Sequence, residues 1–254
     1  METSFKVIVP FYNVEDWIKL CIRSIKAQKY EKYEVILVND EGTDNTVDII
    51  NREIKDDNKF TLIHTGKNGG ALNSTFLGIL AANPEDEDVI IVLDGDDWLA
   101  NKEVFNTLDR TYSENKCLMT YGSYIEYPSK TRGKFSRQLP DTIVSDKLFR
   151  KFQWSTSHLR TFKYRLWKNI RKEDILDKDG KIYSMCGDLP VIFPMLEMAE
   201  ERSFYIEDIL HVYNRSNPLN EDKVNHGLQL GIEAEVREKP IYPRLEVMEK
   251  RNET

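Results

Sequence analysis

Cysteine is scarce in this sequence, and its scarcity excludes several classes of protein. Only three cysteines occur in 254 residues, Cys21, Cys117 and Cys186, and no two of them form a CxxC pair. Disulfide-stapled domains and structural zinc sites need more thiols, or thiols more closely spaced. We therefore expect a chain that folds around a hydrophobic core in a reducing compartment, and its length is sufficient to build that core.

Long apolar runs are missing as well. The longest strongly apolar run is Val89–Leu93, whereas a helix that spans a bilayer needs about 20 apolar residues. Nothing like a secretory signal precedes the first apolar run, at Phe5–Val9. These features predict a cytoplasmic protein without a transmembrane segment, and they leave open a peripheral association with a membrane.

A net positive charge is also lacking, because 36 Lys and Arg residues face 43 Asp and Glu residues, which gives a net charge of −7. A general nucleic-acid-binding surface is therefore excluded. The charge is unevenly distributed, since residues 130–172 hold 13 basic and two acidic residues. Two interpretations of this stretch stay open, a solvated basic surface and a surface that binds an anion.

The first half of the chain alternates strand and helix patterns. A predicted helix with Asn13 as its N-cap follows the first strand, and further helices follow the second and third. Strands that are nearly all apolar and alternate with helices indicate an α/β fold with a doubly wound, mostly parallel sheet. The predicted strands are Phe5–Val9, Tyr33–Val38, Phe60–His64 and Val89–Leu93.

The second half is less regular. Its pattern predicts one strand, helices of mainly apolar character and one polar helix. The predicted strand is Met119–Tyr127, and the predicted helices are Ser145–Phe152, Leu159–Ile170, Leu189–Ala199 and Glu221–Glu235.

Polar loops follow all four strands of the first half, at residues 10–15, 39–44, 67–73 and 94–97. The carboxyl ends of parallel strands meet at one edge of a sheet, where α/β proteins bind their ligands. The sequence therefore predicts a binding site formed by these four loops together.

Three carboxylates follow the most apolar strand. In extended chain Asp94 and Asp96 point the same way, while Gly95 allows a close approach of the backbone. Such a cluster favours Mg²⁺ or Mn²⁺ completed by substrate phosphates. The other interpretation is a helix N-terminus at which Asp94, Asp96 and Asp97 favour the dipole.

Four segments in this order and spacing, VIVPFYN, VNDEGTDNT, NGGALN and LDGDDW, resemble the nucleotide-binding half of family 2 glycosyltransferases. The resemblance covers residues 5–125 well and later segments more loosely. It implies the Rossmann-like GT-A fold with a DxD motif and an appended acceptor-binding region. The implied parts are a donor-binding half at 1–125, an acceptor-binding and catalytic half at 126–237, and a charged tail at 238–254.

The resemblance also implies a donor site and a cation. The donor would be a nucleotide sugar, with a uridine diphosphate sugar favoured and guanosine or thymidine diphosphate sugars still open. Mn²⁺ or Mg²⁺ would be held by Asp94 and Asp96, with His211 either a further contact or a buried structural histidine. The implied donor-binding residues are Pro10, Tyr12, Asn13, Glu15, Asp40, Lys67, Asn68, Gly70, Asn73, Asp94, Gly95 and Asp96.

An inverting transfer needs a base that takes the proton of the acceptor hydroxyl, which would belong to a glycan or another alcohol. The resemblance places this base at Asp188, although Gly187 stands where family members usually have an acid and Asp188 can also be a plain N-cap. Residues predicted to contact the acceptor or the diphosphate are Asp97, Trp154, His158, Arg160 and Lys163.

Other functions fit less well. A phosphatase with an Asp-x-Asp nucleophile carries that pair after its first strand, and a dinucleotide oxidoreductase has a GxGxxG motif there. The alternative that stays open is a catalytically degenerate module that binds a nucleotide sugar without transferring it.

Overall fold

The computed structural model describes residues 2–185, 187–220, 223 and 226–246. One sheet of eight strands forms the centre of this part of the chain. The strands are β1 Phe5–Phe11, β2 Tyr33–Asn39, β3 Phe60–His64, β4 Val89–Val92, β5 Trp98–Leu99, β6 Met119–Tyr127, β7 Thr161–Lys163 and β8 Ser203–Asn214. The helices are α1 Ile18–Lys26, α2 Thr46–Glu53, α3 Ala71–Ala82, α4 Val104–Asn115, α5 Asp141–Ser145, α6 Tyr164–Trp167, α7 Leu189–Ala199 and α8 His226–Glu238.

The strand order is β3-β2-β1-β4-β7-β6-β8-β5. The first four strands in this order are parallel, as the sequence predicts. From β7 onward the sheet is mixed, because β7 runs antiparallel to both β4 and β6 while β6 and β8 are parallel. The predicted α/β architecture, with a parallel sheet over the first half of the chain, is therefore confirmed.

Helices cover both faces of the sheet. Successive residues of a strand point to opposite faces, so Val7 and Val9 of β1 pack on the side of α1, while Ile8 packs on the side of α3 and α7. Helix α3 lies very close to β1, since a Cβ on Gly78 would stand 2.5 Å from Ile8 Cγ2. This arrangement fixes the N-terminus of α3 beside the carboxyl ends of β1 and β2.

Two of the predicted helices are wrong. Within the predicted helix at 159–170, Thr161–Lys163 forms β7, and only Tyr164–Trp167 is helical. The strand forms because it completes the hydrogen bonds of β4, and the Thr161 hydroxyl pairs with Tyr112 and Thr120. The helix predicted at 145–152 is interrupted at Lys147, whose φ of 52° is left-handed.

Asn13 does not cap α1, which begins at Ile18. Its φ is 50°, and its Oδ1 accepts hydrogen bonds from the Thr43 and Asp44 backbone amides at 2.7 and 3.3 Å. Asn13 therefore joins the loop after β1 to the loop after β2.

The predicted division at residue 125 falls inside β6, so one sheet crosses both halves. Of the predicted polar helix, Glu221, Asp222, Val224 and Asn225 lie outside the described residues, and α8 runs to Glu238. The start of the predicted tail packs on the protein, because Tyr242 is buried, while residues 247–254 lie outside the described residues.

No helix in the described ranges has both the length and the apolar character of a bilayer span.

A buried ion pair ties the C-terminal part to α7. Both carboxylate oxygens of Glu197 accept from the Arg150 guanidinium, at 2.5 and 2.9 Å. Arg150 also donates to the Val236 carbonyl, and the Tyr242 amide donates to Glu197. The pair therefore joins four segments of chain.

Glu197→Gln is expected to lower the free energy of unfolding by about 3–5 kcal/mol, because it leaves the Arg150 charge buried without its partner. Urea unfolding measures this. The control is Glu34→Gln, which removes a carboxylate that is 57% exposed from its pair with the less exposed Lys6 and should cost at most about 1 kcal/mol. Equal losses in the two variants would contradict this assignment.

Candidate functional site

A cavity of about 520 Å³ opens at the carboxyl ends of β1, β2 and β4, between the N-termini of α3 and α7. Most of the residues singled out in the sequence meet in it, although they come from six separate segments of the chain. Those lining the cavity are Pro10, Tyr12, Asp40, Asn68, Gly70, Asp94, Gly95, Asp96, His158, Arg160 and Asp188.

Asp40 organises one end of the cavity. Its two carboxylate oxygens accept from the backbone amides of Gly69 and Gly70, at 2.9 and 2.8 Å. Asn68 returns a hydrogen bond to the Asp40 carbonyl at 3.1 Å. Gly70 has a φ of 83°, which favours glycine. The loop after β3 is thereby folded over the end of β2, and Asp40 holds it there.

The three carboxylates after β4 point to two different sides of the chain. Asp94 and Asp96 line the cavity, as the period of extended chain predicts. Asp97 is buried on the other side, where Oδ1 accepts from the Asn214 amide at 2.7 Å and Oδ2 shares a hydrogen bond of 2.8 Å with His211 Nε2. Asp97 therefore fastens the motif to β8 and does not reach the cavity.

The two carboxyl groups that line the cavity, those of Asp94 and Asp96, have raised pKa values. Burial, followed by the charges of Asp97 and Asp96, raises the pKa of Asp94 to about 8. Burial also raises the pKa of Asp96, although a hydrogen bond of 2.7 Å from Asn217 Nδ2 opposes this. A cation placed between the two would reverse both shifts.

His211 lies beneath the motif, fully buried. Burial lowers its pKa to about 3, so the ring is neutral. When Nε2 donates its proton to Asp97, Nδ1 carries a lone pair, and that atom has no hydrogen-bond partner. The ring stacks on His158 at 4.5 Å between centroids, and His158 lines the cavity.

Asp188 stands directly before α7 and lines the cavity. One of its oxygens accepts from Arg160 Nη1 at 2.5 Å, and 36% of its side chain is exposed. Arg160 also lies 3.5 Å from His158 Nε2. An exposed carboxylate held by a fixed cation at a cavity wall can accept a proton from a bound hydroxyl.

Gly187, which stands where family members usually have an acid, is explained by its packing. A Cβ at this position would lie 2.8 Å from Leu72 Cβ, so the N-termini of α3 and α7 touch here. A larger side chain at residue 187 does not fit while Leu72 keeps its place.

Gly187→Ala is expected to lower the free energy of unfolding by about 1–3 kcal/mol, because the added methyl group would clash with Leu72. Urea unfolding measures this effect. Gly231→Ala on α8, where a Cβ meets nothing within 4 Å, is the matched control and should not destabilise. If Gly187→Ala behaves like this control, the tight packing described here is wrong.

Some predicted donor residues do not line the cavity. Glu15 accepts from the Asn45 amide at 2.8 Å, so with Asn13 it holds the loop before α2. Lys67 is exposed, and Asn73 packs beneath Gly69. Asn13 and Glu15 therefore support the loop before α2, and Asn73 supports the loop after β3.

Two predicted acceptor residues also lie elsewhere. Lys163 pairs with Val89 across the sheet, at the amino end of β4, and its ammonium bonds Glu87 at 2.8 Å. Trp154 packs edge-on against Phe193 of α7. The antiparallel direction of β7 places Arg160 at the cavity and Lys163 at the opposite edge.

The basic stretch at 130–172 is largely neutralised. At least eight of its 13 basic residues form ion pairs, mainly with acids from outside the stretch. Arg160 is the member that combines an ion pair with a place in the cavity wall. Most of this charge is therefore structural.

Sequence reasoning missed several cavity residues. Asn217 bonds Asp96 because β8 returns alongside β5, and no short spacing in the sequence signals that contact. The cavity is also lined by Leu72, Phe162, Trp167, Val191 and Ile192. Their apolar character is indistinguishable in sequence from an ordinary core.

The family model described as "Glycosyl transferase family 2" matches residues 6–177, which is more than half of the chain. The chain belongs to glycosyl transferase family 2. The family resemblance stated from the four sequence segments is thereby confirmed.

Curated relatives agree with the family. The chain is 31% identical over 127 residues to "Glycosyltransferase GlyG" of Streptococcus pneumoniae, covering 50% of this chain and 41% of GlyG. It is 27% identical over 216 residues to "Uncharacterized glycosyltransferase EpsJ" of Bacillus subtilis, covering 84% of this chain and 61% of EpsJ. The chain thus spans about half the length of these two relatives.

Solved structures show the same fold. The crystal structure of TarS residues 1–349 from S. aureus has a TM-score of 0.61 at 18% identity, covering 84% of this chain and 60% of TarS 1–349. The mannosyltransferase PcManGT of Pyrobaculum calidifontis, in complex with GDP-Man and Mn²⁺, has a TM-score of 0.60 at 15% identity, covering 95% of this chain and 66% of PcManGT. The family 2 chain therefore has the GT-A fold.

Proposed function

We propose that this family 2 chain transfers a sugar from a nucleoside diphosphate sugar to an acceptor hydroxyl, with inversion, in a single in-line displacement. The observation that carries the proposal is the shared cavity, which is lined by the loop held by Asp40, by the carboxylates of Asp94 and Asp96, and by the carboxylate of Asp188. A donor lying across it presents its sugar between the acidic motif and Asp188.

The nucleotide would bind at the Asp40 end, between the Pro10–Tyr12 segment and the loop at 68–70. Tyr12 is 41% exposed at this wall and offers a ring face to a base. A uridine diphosphate sugar is our preferred donor, and guanosine and thymidine diphosphate sugars remain open. TarS in complex with UDP-GlcNAc and PcManGT in complex with GDP-Man support this class of donor.

Mn²⁺ or Mg²⁺ fits this site as a cofactor that takes part of its ligands from the donor. Among the described residues no three His, Cys, Asp or Glu side chains converge as a ready metal centre. His211 does not line the cavity, so the fit rests on Asp94 and Asp96, whose mutual repulsion a cation would relieve. When bound, the cation would offset the charge that develops on the departing nucleoside diphosphate.

Asp188 would act as the base. Its carboxylate accepts the proton of the acceptor hydroxyl as that oxygen attacks the anomeric carbon from the face opposite the diphosphate. Arg160 fixes Asp188 at the cavity wall and carries a positive charge near the diphosphate. Residues 126–237, which contribute Arg160, Asp188 and Asn217, would receive the acceptor, a glycan or another alcohol.

A screen of purified protein with Mn²⁺ and a panel of nucleotide sugars tests the proposal. Release of nucleoside diphosphate, accelerated by an added acceptor, supports the transferase. Tight nucleotide binding without turnover on any acceptor supports the degenerate binding module instead. Failure to bind any nucleoside diphosphate would overturn both.

A further inference from the structure

A short hairpin without acidic residues follows β6. We call it the basic hairpin and define it as residues 127–137. Its backbone folds back on β6, because the Glu126 amide donates to the Thr131 carbonyl at 2.8 Å and the Gly133 amide donates to the Tyr124 carbonyl at 3.0 Å. The charged residues of the hairpin are Lys130, Arg132, Lys134 and Arg137.

Three of these four charges have no acidic partner. Lys130, Lys134 and Arg137 are exposed, and within the described ranges none of them forms an ion pair, unlike most basic residues between 130 and 172. The fourth, Arg132, donates to the Ser123 hydroxyl at 2.5 Å and anchors the hairpin. The chain holds 43 Asp and Glu residues. Exposed cations left unpaired in so acidic a protein are available to an external anion.

The basic hairpin lies at the edge of the sheet where the cavity opens. Because β7 runs antiparallel to both β4 and β6, the strands β4 and β6 point the same way, and the hairpin follows the carboxyl end of β6. Gly133 lies so close to the Tyr124 ring that a Cβ would overlap it. The Tyr124 ring lies 5.9 Å, between centroids, from the rings of His158 and Tyr213, which line the cavity. Tyr124 therefore connects the hairpin to the cavity wall.

We propose that the basic hairpin binds an acceptor chain that carries repeated negative charges, as phosphodiester or uronate groups. This inference rests on the proposed function, because it takes residues 126–237 to receive the acceptor. One unit of the chain would offer its hydroxyl to Asp188, while other units lie along Lys130, Lys134 and Arg137.

The exposure of these three cations favours an acceptor with several charges over one with a single charge. An exposed ion pair contributes little, because water and salt screen it. An isolated anion would therefore gain little on this surface, whereas a chain with an anion on each unit meets several cations at once. The cavity adds little positive charge of its own, since Arg160 is the sole Lys or Arg among its described lining residues. The charged chain is thus held outside the cavity.

The test compares three polymers of matched length, poly(glycerol phosphate), polygalacturonate and neutral dextran. Calorimetric titration into the full chain, with Mn²⁺ and uridine diphosphate present, gives their dissociation constants. In about 50 mM salt we expect at least one anionic polymer to bind about tenfold more tightly than dextran, and this preference should shrink in about 200 mM salt. The anionic polymer that binds identifies the charged group. Equal binding of all three, or tighter binding of dextran, overturns the inference.

A triple variant tests the hairpin itself. Lys130→Gln, Lys134→Gln and Arg137→Gln together should weaken binding of the anionic polymer about tenfold, because each exposed ion pair adds only a small part of the affinity. Urea unfolding checks that the variant is folded. Unchanged affinity in this variant overturns the role of the hairpin.

The matched control removes the same charge elsewhere. Lys116, Lys151 and Lys172 are also exposed, form no ion pair within the described residues and lie outside the hairpin, and Lys116 precedes the amino end of β6. Their triple change to Gln should leave polymer binding at the wild-type level. Equal losses in both triple variants would mean that net charge alone acts, which also overturns the inference. Failure of the wild type to bind uridine diphosphate overturns the proposed function instead.

Discussion

Asp188→Asn is expected to lower kcat for sugar transfer by about 10³-fold, which is within the range for loss of a general base. Asparagine keeps the size of the side chain and can still contact Arg160, but it cannot take a proton from the acceptor. The donor KM should change by only about two- to threefold, because the proposal places the nucleotide at the Asp40 end of the cavity and not at Asp188. Steady-state nucleotide release with and without acceptor measures both constants.

Asp146→Asn is the matched control. Asp146 is an exposed acid just after α5, bonded to the Ser145 hydroxyl at 3.1 Å, and it does not line the cavity. Its variant should keep wild-type kcat. If Asp188→Asn also keeps most of its activity, Asp188 is not the base, and Arg160 then pairs with a purely structural helix cap.

Asp96→Asn is expected to weaken Mn²⁺-dependent binding of a nucleoside diphosphate by about 100-fold and to reduce transfer by about 10³-fold. The carboxylate is one of two in the cavity that can meet a cation, and each charge removed weakens an oxygen-ligand site for a hard ion. Asparagine would still accept from Asn217 Nδ2, so the loop should keep its shape. Calorimetric titration of the nucleotide with and without Mn²⁺ measures the change in affinity.

The control lies at the other end of the same strand. Asp88 precedes β4 and caps the preceding turn through the Glu85 amide at 2.9 Å, so Asp88→Asn should leave Mn²⁺-dependent binding unchanged. The pKa of Asp94, raised to about 8, adds a second check. Because a metal needs the ionised carboxylate, affinity for Mn²⁺ should rise about tenfold per pH unit between pH 6 and pH 8. A flat profile together with normal binding by Asp96→Asn would exclude the acidic motif as the metal site.

Short-range patterns were sufficient to predict the parallel sheet of the first half of the chain. The four apolar strands, the polar loops at their carboxyl ends and the shared direction of Asp94 and Asp96 all follow from periodicity within a few residues. The same period of two places Asp97 on the opposite side of the chain from Asp96. The prediction that Asp97 contacts the acceptor or the diphosphate was therefore inconsistent with the alternation that places Asp94 and Asp96 on the same side of the chain.

Contacts between distant segments could not be predicted. The position of Lys163 depends on the antiparallel pairing of β7 with β4, and a helical period over 159–170 concealed that strand. The hydrogen bonds of Asn13 and Glu15 to the loop after β2 likewise depend on how two loops meet. Pattern identifies which segments reach the site, whereas packing decides which side chains face it.

The most direct test of the central claim is a crystal structure of the full chain with Mn²⁺ and uridine diphosphate. The proposal predicts the base beside Asp40 and the diphosphate beside Asp94 and Asp96, with Asp188 across the remaining space. A nucleotide bound outside this cavity, while Mn²⁺-dependent turnover persists, would contradict it.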